Sequence, residues 1–247
     1  MKLEIHILTH DHEDKLPWAV SHYLSLGAKV IVHDGGPSFT LEVMGAETRK
    51  WDTGGQLNDE LAMNLKNECW KGTEADWLAV MDCDELLYFP KGVEETLSTY
   101  SRLGAAVIKP HGYEMFSDEM PNITRPLIEQ VKHGAPDNKW YGKPVLFSPK
   151  KVAESGFGMG AHESRPILHS GRELYVGSGW PQANPPTYLL HYHQIGPIEY
   201  VARRYDETRT RLAAINEKHG WGNFKKGLEH AQEKRDYILP LLRQVVG

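Results

Sequence analysis

Two cysteines in 247 residues are too few for a disulfide framework, and Cys69 and Cys83 stand at no zinc-ligand spacing. Both are expected as reduced thiols. No apolar run approaches the roughly 18 residues that span a bilayer. The chain enters a strand pattern at once, without the charged and apolar regions of a signal peptide. A cytoplasmic protein with no transmembrane segment is therefore expected. Basic residues are also short: 28 Lys and Arg against 33 Asp and Glu give a net charge of -5. That deficit argues against nucleic acid as a partner, which calls for a basic surface. Repeats and low-complexity tracts are absent, and 40% apolar with 25% charged residues is ordinary globular usage.

What is present is an alternation of strand and helix signals. Residues 3–8 (LEIHIL) read as a strand. Pro17 suits the first turn of a helix carrying Leu16, Val20, Tyr23 and Leu24, and Gly27 suits its end. Lys29–Asp34 (KVIVHD) is a second strand, broken by Gly35-Gly36-Pro37. Residues 47–54 suggest a short strand and loop, 55–70 a helix, 91–103 another helix and 105–109 another strand. Trp77–Met81 (WLAVM) is apolar throughout, as in a central strand buried on both faces. Beyond residue 110, Pro, Gly, His and aromatic residues predict loops and short strands forming one side of a cleft. Two helices are expected at 197–218 and 224–243, the second ended or kinked near Pro240. These signals predict an α/β chain with a mostly parallel central sheet flanked by helices. Residues 1–195 are expected to form the main domain, in two halves, 1–110 and 111–195. Residues 196–247 form a helical extension that closes the sheet, makes a dimer or touches a membrane surface peripherally.

Ligands of open parallel sheets bind beyond the carboxyl ends of the strands, where Asp34 and Asp82 fall. In an extended segment Asp82 and Asp84 face the same way, with Cys83 between them. Two converging carboxylates repel unless a cation separates them, and oxygen-rich sites suit Mg2+ or Mn2+ shared with substrate phosphates. The alternative is a solvated turn or helix cap.

The chain has 13 histidines. His162, in the loop Gly158–Ser164, is a candidate third ligand for Mn2+, and Glu163 beside it a candidate general base. His191 and His193 share one face of a strand and are candidates for metal, diphosphate or structural hydrogen bonding. Glu114, Asp118 and Glu119 are rival bases. Arg203, Arg204, Arg209 and Arg211 read as a solvated basic face or as an acceptor contact.

The N-terminal half resembles the family 2-like glycosyltransferases of GT-A fold. The resemblance rests on residues 22–27 with VIVHDGGPS, and on the stretch from Gln56 through Asn64 to WLAVMDCDELLYF. Sparser matches follow at Lys143-Pro144-Val145, His162 and Leu190-His191-Tyr192. It implies a GT-A, Rossmann-like nucleotide-diphospho-sugar transferase fold over roughly residues 3–206, with a nucleotide side in 1–110 and an acceptor side in 111–195. It implies Asp34 on the nucleoside, with Gln56 in the donor-binding helix. Asp82 would lie near the ribose or the metal, and Asp84 would be the principal metal ligand. Lys143 would neutralise the diphosphate, and His162 or the His191/His193 pair would complete the metal site. The opening loop THDHED departs from the family pattern, leaving Thr9, His10, Asp11 and Glu13 as rivals for the base. The implied activity is inverting hexosyl transfer, with Mn2+ or Mg2+, from a nucleotide-sugar donor, UDP-linked on base rates. The acceptor would be a saccharide of a surface polysaccharide or a glycolipid. A sugar nucleotidyltransferase and an inactive carbohydrate-binding protein are the competing classes.

Overall fold

The computed structural model describes residues 1–10, 14–36, 45–221 and 226–247. In chain order, β1 (Leu3–Thr9) leads to α1 (Leu16–Ser25), β2 (Lys29–Asp34), β3 (Glu47–Lys50), α2 (Asp59–Glu68), β4 (Trp77–Asp82) and β5 (Glu85–Tyr88). Then come α3 (Val93–Arg102), β6 (Val107–Ile108), β7 (His111–Ser117), α4 (Leu127–Gln130), β8 (His133–Pro136) and β9 (Leu146–Phe147). After β10 (Val152–Glu154) and β11 (Ile167–Leu168), the chain closes with β12 (Tyr188–Ile195), α5 (Ile198–Thr210), α6 (Ala214–His219), α7 (Gly227–Ile238) and β13 (Arg243–Gln244).

Six strands form one sheet in the order β3-β2-β1-β4-β9-β6. Its first three pairings are parallel, and β9 runs antiparallel to both β4 and β6. This is an α/β chain with mixed sheets, compatible with a Rossmann-like arrangement. Leu78, Ala79, Val80 and Met81 of β4 have no exposed surface, as an apolar run between two covered faces requires. Each large side chain so buried contributes about 1.5–3 kcal/mol. Helix α1 buries Leu16, Trp18, Val20 and Tyr23. The Tyr23 hydroxyl donates to the Glu85 carbonyl at 2.9 Å and accepts from the Leu87 amide at 3.1 Å, so the helix fixes the position of β5.

The second half differs from its sequence reading. A five-stranded sheet, β13-β8-β7-β12-β5, stands where loops and short strands were expected. β7 and β12 have seven and eight residues and pair in parallel. Glycine and proline obscured this sheet because here they serve packing. A Cβ on Gly112 in β7 would lie 2.2 Å from the Tyr141 carbonyl carbon, so only glycine admits that crossing.

Three helix boundaries also move. The 55–70 helix begins only at Asp59, because Gly54 and Gly55 have positive φ and the Asn58 side chain caps the first turn through the Leu61 amide. The 197–218 helix divides into α5 and α6. Between them the backbone turns aside to pair with Leu57, whose amide donates to the Arg211 carbonyl while the Ala213 amide donates to Leu57. The last helix stops at Ile238, and the chain then adds β13 to the edge of the second sheet. Among the described residues, no helix is long and apolar enough to cross a membrane.

Candidate functional site

At the carboxyl ends of β1 and β4 a cavity of about 290 Å3 opens between the two sheets and α2. Thr9, His10, Trp51 and Leu57 line one side, and Asp82, Cys83 and Asp84 form its floor. Asp59, Ala62, Met63 and Lys66 project from one face of α2, at the helical spacing of three and four residues. Gly160 and His191 close the remaining wall.

The floor follows from the end of β4. The strand stops at Asp82, the chain turns, and β5 begins at Glu85. The Asp84 carbonyl accepts the Tyr192 amide at 2.8 Å, which holds the turn against β12. His191 and His193 therefore stand beside Asp84, with nearly parallel rings 5.7 Å apart on one face of the strand. Between His191 and Gln194 the pairing with β7 slips by one residue, a bulge of the kind that re-aims side chains at sites.

His191 Nε2 lies 3.6 Å and His193 Nδ1 3.3 Å from the same oxygen, Asp84 Oδ2. Donors bound to one cation at about 2.1 Å stand about 3.0–3.4 Å apart. Both separations are near that range, and the first is too long for a hydrogen bond. The other nitrogen of His191 is held by Glu114, at 2.9 and 3.0 Å from its two oxygens. Tyr141 stacks on the His191 ring at 4.0 Å. A carboxylate on the far nitrogen of an imidazole is the arrangement that orients a metal-binding histidine.

The charges are uneven. Burial works against the Asp84 carboxylate, yet His191, His193 and Lys15, with its Nζ at 4.0 Å, hold its pKa well below the ordinary range. Burial, then Lys15, pushes His193 below the usual imidazole value, toward the neutral form that binds metals. His191 moves the other way: burial is outweighed by Glu114 and Asp84. Asp82 is engaged separately, by Lys66 Nζ at 2.7 Å and Lys143 Nζ at 3.4 Å. Against the effect of burial, these lysines bring its carboxyl down to about 2.

Five residues were candidates for the metal: Asp82, Asp84, His162, His191 and His193. Asp84, His191 and His193 come together, and His191 was also a candidate for the cofactor. Asp82 does not join them, because both of its oxygens face lysines. His162 is also apart: its Nδ1 lies 2.7 Å from the Trp140 carbonyl. The expectation that Asp82 and Asp84 share one ion is thus corrected to a split arrangement, with a turn in place of an extended segment.

None of the four candidate bases, Glu114, Asp118, Glu119 and Glu163, lines the cavity. Glu114 is buried against His191. Asp118 is exposed and pairs with Arg235 of α7 at 2.6 Å. Glu163 is exposed and accepts the Tyr175 hydroxyl at 2.7 Å. Among the expected donor contacts, Thr9 lines the cavity. Asp34 pairs with it in register but lies outside the lining, its Oδ1 accepting the Gly36 amide. Gln56 is not in the lining, and Asp11 and Glu13 fall outside the described residues. Lys143 is turned to Glu85, 2.5 Å away.

The sequence reading missed Lys15, Lys66, Trp51 and Asp59. A helical wheel of α2 would have found Lys66, which shares a face with Asp59 and Met63. Nothing local marks Lys15, a lysine only 2% exposed at the start of α1. No protein-family model matches this chain, and no curated protein matches its sequence.

Proposed function

We propose that the protein is a metal-dependent glycosyltransferase. It moves a sugar from a nucleoside diphosphate sugar, with UDP the expected nucleotide, to a hydroxyl acceptor. The observation that carries this reading is the convergence of Asp84, His191 and His193 on one point of a cavity at the carboxyl ends of β1 and β4. Ligands of parallel sheets bind in that position.

The donor set narrows the choice of ion. Two imidazoles and one carboxylate suit Mn2+ better than Mg2+, which prefers oxygen and retains its waters. Asp84, His191 and His193 would hold the ion, oriented by Glu114 behind His191. When bound, it supplies positive charge to the diphosphate leaving group as the glycosidic bond breaks. Lys66 and Lys143 fix Asp82 at the cavity floor. Trp51 offers a ring face to a base or sugar.

Acceptor activation passes to a residue that was not singled out from the sequence. Burial, followed by the nearby Asp82, raises the pKa of Asp59, whereas those of Asp82 and Asp84 are lowered. Carboxylates in one site with pKa values driven apart mark a division of roles. In this reading Asp59 takes the acceptor proton.

The test is release of nucleoside diphosphate from a panel of nucleotide sugars, with simple glycosides as acceptors, in Mn2+ and in excess chelator. Release that needs both Mn2+ and Asp84 supports the reading. Transfer that is unchanged by the chelator would sink it.

A further inference from the structure

Strands β1 and β2 are buried, yet they carry polar residues that the cavity does not use. Glu4, His6 and His33 are 7%, 1% and 3% exposed. Polar groups in such a place cost stability unless they are partnered. In the parallel register, His6 lies opposite Ile31 and His33 opposite Leu8, so the two histidines are diagonal neighbours on one face. Their rings stack at 5.2 Å, and His6 Nδ1 is 2.9 Å from His33 Nε2. Cys69, the residue that ends α2, reaches the same point. One donor atom from each of His6, His33 and Cys69 lies within 4.8 Å of the others.

We propose that His6, His33 and Cys69 form a zinc site, separate from the Asp84 cluster. Two imidazoles and a thiolate are the borderline-soft donor set that Zn2+ takes. The far nitrogen of His6 lies 3.0 Å from Glu4 Oε1, and Glu4 Oε2 pairs with Lys29 at 3.2 Å. A buried carboxylate on the outer nitrogen of a ligand histidine fixes its tautomer and leaves Nδ1 facing the ion.

Zinc–nitrogen bonds of about 2.0–2.1 Å in a tetrahedron place two nitrogens roughly 3.3 Å apart. The pair must open by only about 0.4 Å to admit the ion. His6 keeps its proton on Nε2 toward Glu4, and His33 keeps its proton on Nδ1. The thiol proton of Cys69 leaves to solvent as the zinc–sulfur bond forms. The site ties two central strands to the end of α2, one turn beyond Lys66, and so fixes the helix whose other face lines the cavity. The proposal does not depend on glycosyl transfer.

Co2+ serves as the spectroscopic stand-in for Zn2+, with the untagged full chain. The expected result is a thiolate-to-Co2+ charge-transfer band that stoichiometric Zn2+ bleaches. The band is expected to vanish in Cys69→Ser and to persist in Cys83→Ser and Asp84→Ala. In wild-type protein Zn2+ should also slow alkylation of Cys69 at least tenfold, read by peptide mass spectrometry, which needs no variant to fold. Absence of the band, its survival in Cys69→Ser, its loss in Cys83→Ser, or unchanged alkylation of Cys69 would each overturn the proposal.

Discussion

Glu114 and His191 face each other across the parallel pairing of β7 with β12, and a carboxylate oxygen lies 2.9 Å from His191 Nδ1. The contact is buried and aims the other imidazole nitrogen at Asp84. Removing such an orienting carboxylate from a metal site typically costs about 10–100-fold in metal affinity. Glu114→Gln is therefore expected to weaken Mn2+ binding by that factor, as read by titration calorimetry. Equal affinity in the variant would show that Glu114 is not the orienting group.

Asp118 and Glu163 carry no part of the chemistry in this account. Asp118→Asn and Glu163→Gln are expected to retain the rate of nucleoside diphosphate release. Glu163 is on the surface, so its variant should keep its stability within about 0.5 kcal/mol. A large loss of kcat in either variant would restore that residue as a base.

The Lys143–Glu85 pair is almost wholly buried, with side chains 6% and 1% exposed and 2.5 Å between charges. Breaking a buried pair from one side costs about 3–5 kcal/mol, and here the lower end is expected, because Lys143 loses its nearest carboxylate but keeps Asp82 at 3.4 Å. Glu85→Gln should lose about that much in urea denaturation. A loss below about 1 kcal/mol would place the pair in the range of surface ion pairs.

The same lysines set an acid limb. The carboxyl of Asp82 lies at about 2 when folded and near 3.9 when unfolded. The folded state therefore binds fewer protons in this window. The resulting stability is fully present above about pH 4 and is lost as the pH falls toward about 2. Asp84 and Glu114, also lowered, act in the same direction. The urea midpoint should fall between about pH 4 and 2, and less steeply in Lys66→Met. An identical slope in that variant would detach Lys66 from the effect.

The parallel half was legible because β2 and β4 are largely apolar runs that end in carboxylates, and WLAVMD needs both faces covered. Helix α1 was likewise marked, by Pro17 at one end and Gly27 at the other. The second sheet was hidden because β7 and β12 are held together by partners far apart in sequence. Glu114 and His191 are 77 residues apart, and no local pattern pairs them. Asp84 and the two histidines were each visible as candidates. Their convergence depends on the turn after β4 and the bulge in β12. Asp82 was misread because the charges that capture it, Lys66 and Lys143, come from a helix face and from a remote loop. The two carboxylates looked alike in the motif, whereas lysines hold both oxygens of Asp82 and histidines stand beside Asp84.

Binding of the donor tests the central claim without knowledge of the acceptor. Thermal unfolding is measured with each nucleotide sugar in turn, with and without Mn2+, for wild type and Asp84→Ala. At about 100 times Kd, a ligand that binds only the folded state should raise the wild-type Tm by roughly 5–10 °C. The account predicts a shift for at least one UDP-sugar that requires Mn2+ and disappears in Asp84→Ala. A shift of equal size in the variant, or no shift with any nucleotide sugar in the presence of Mn2+, would contradict it.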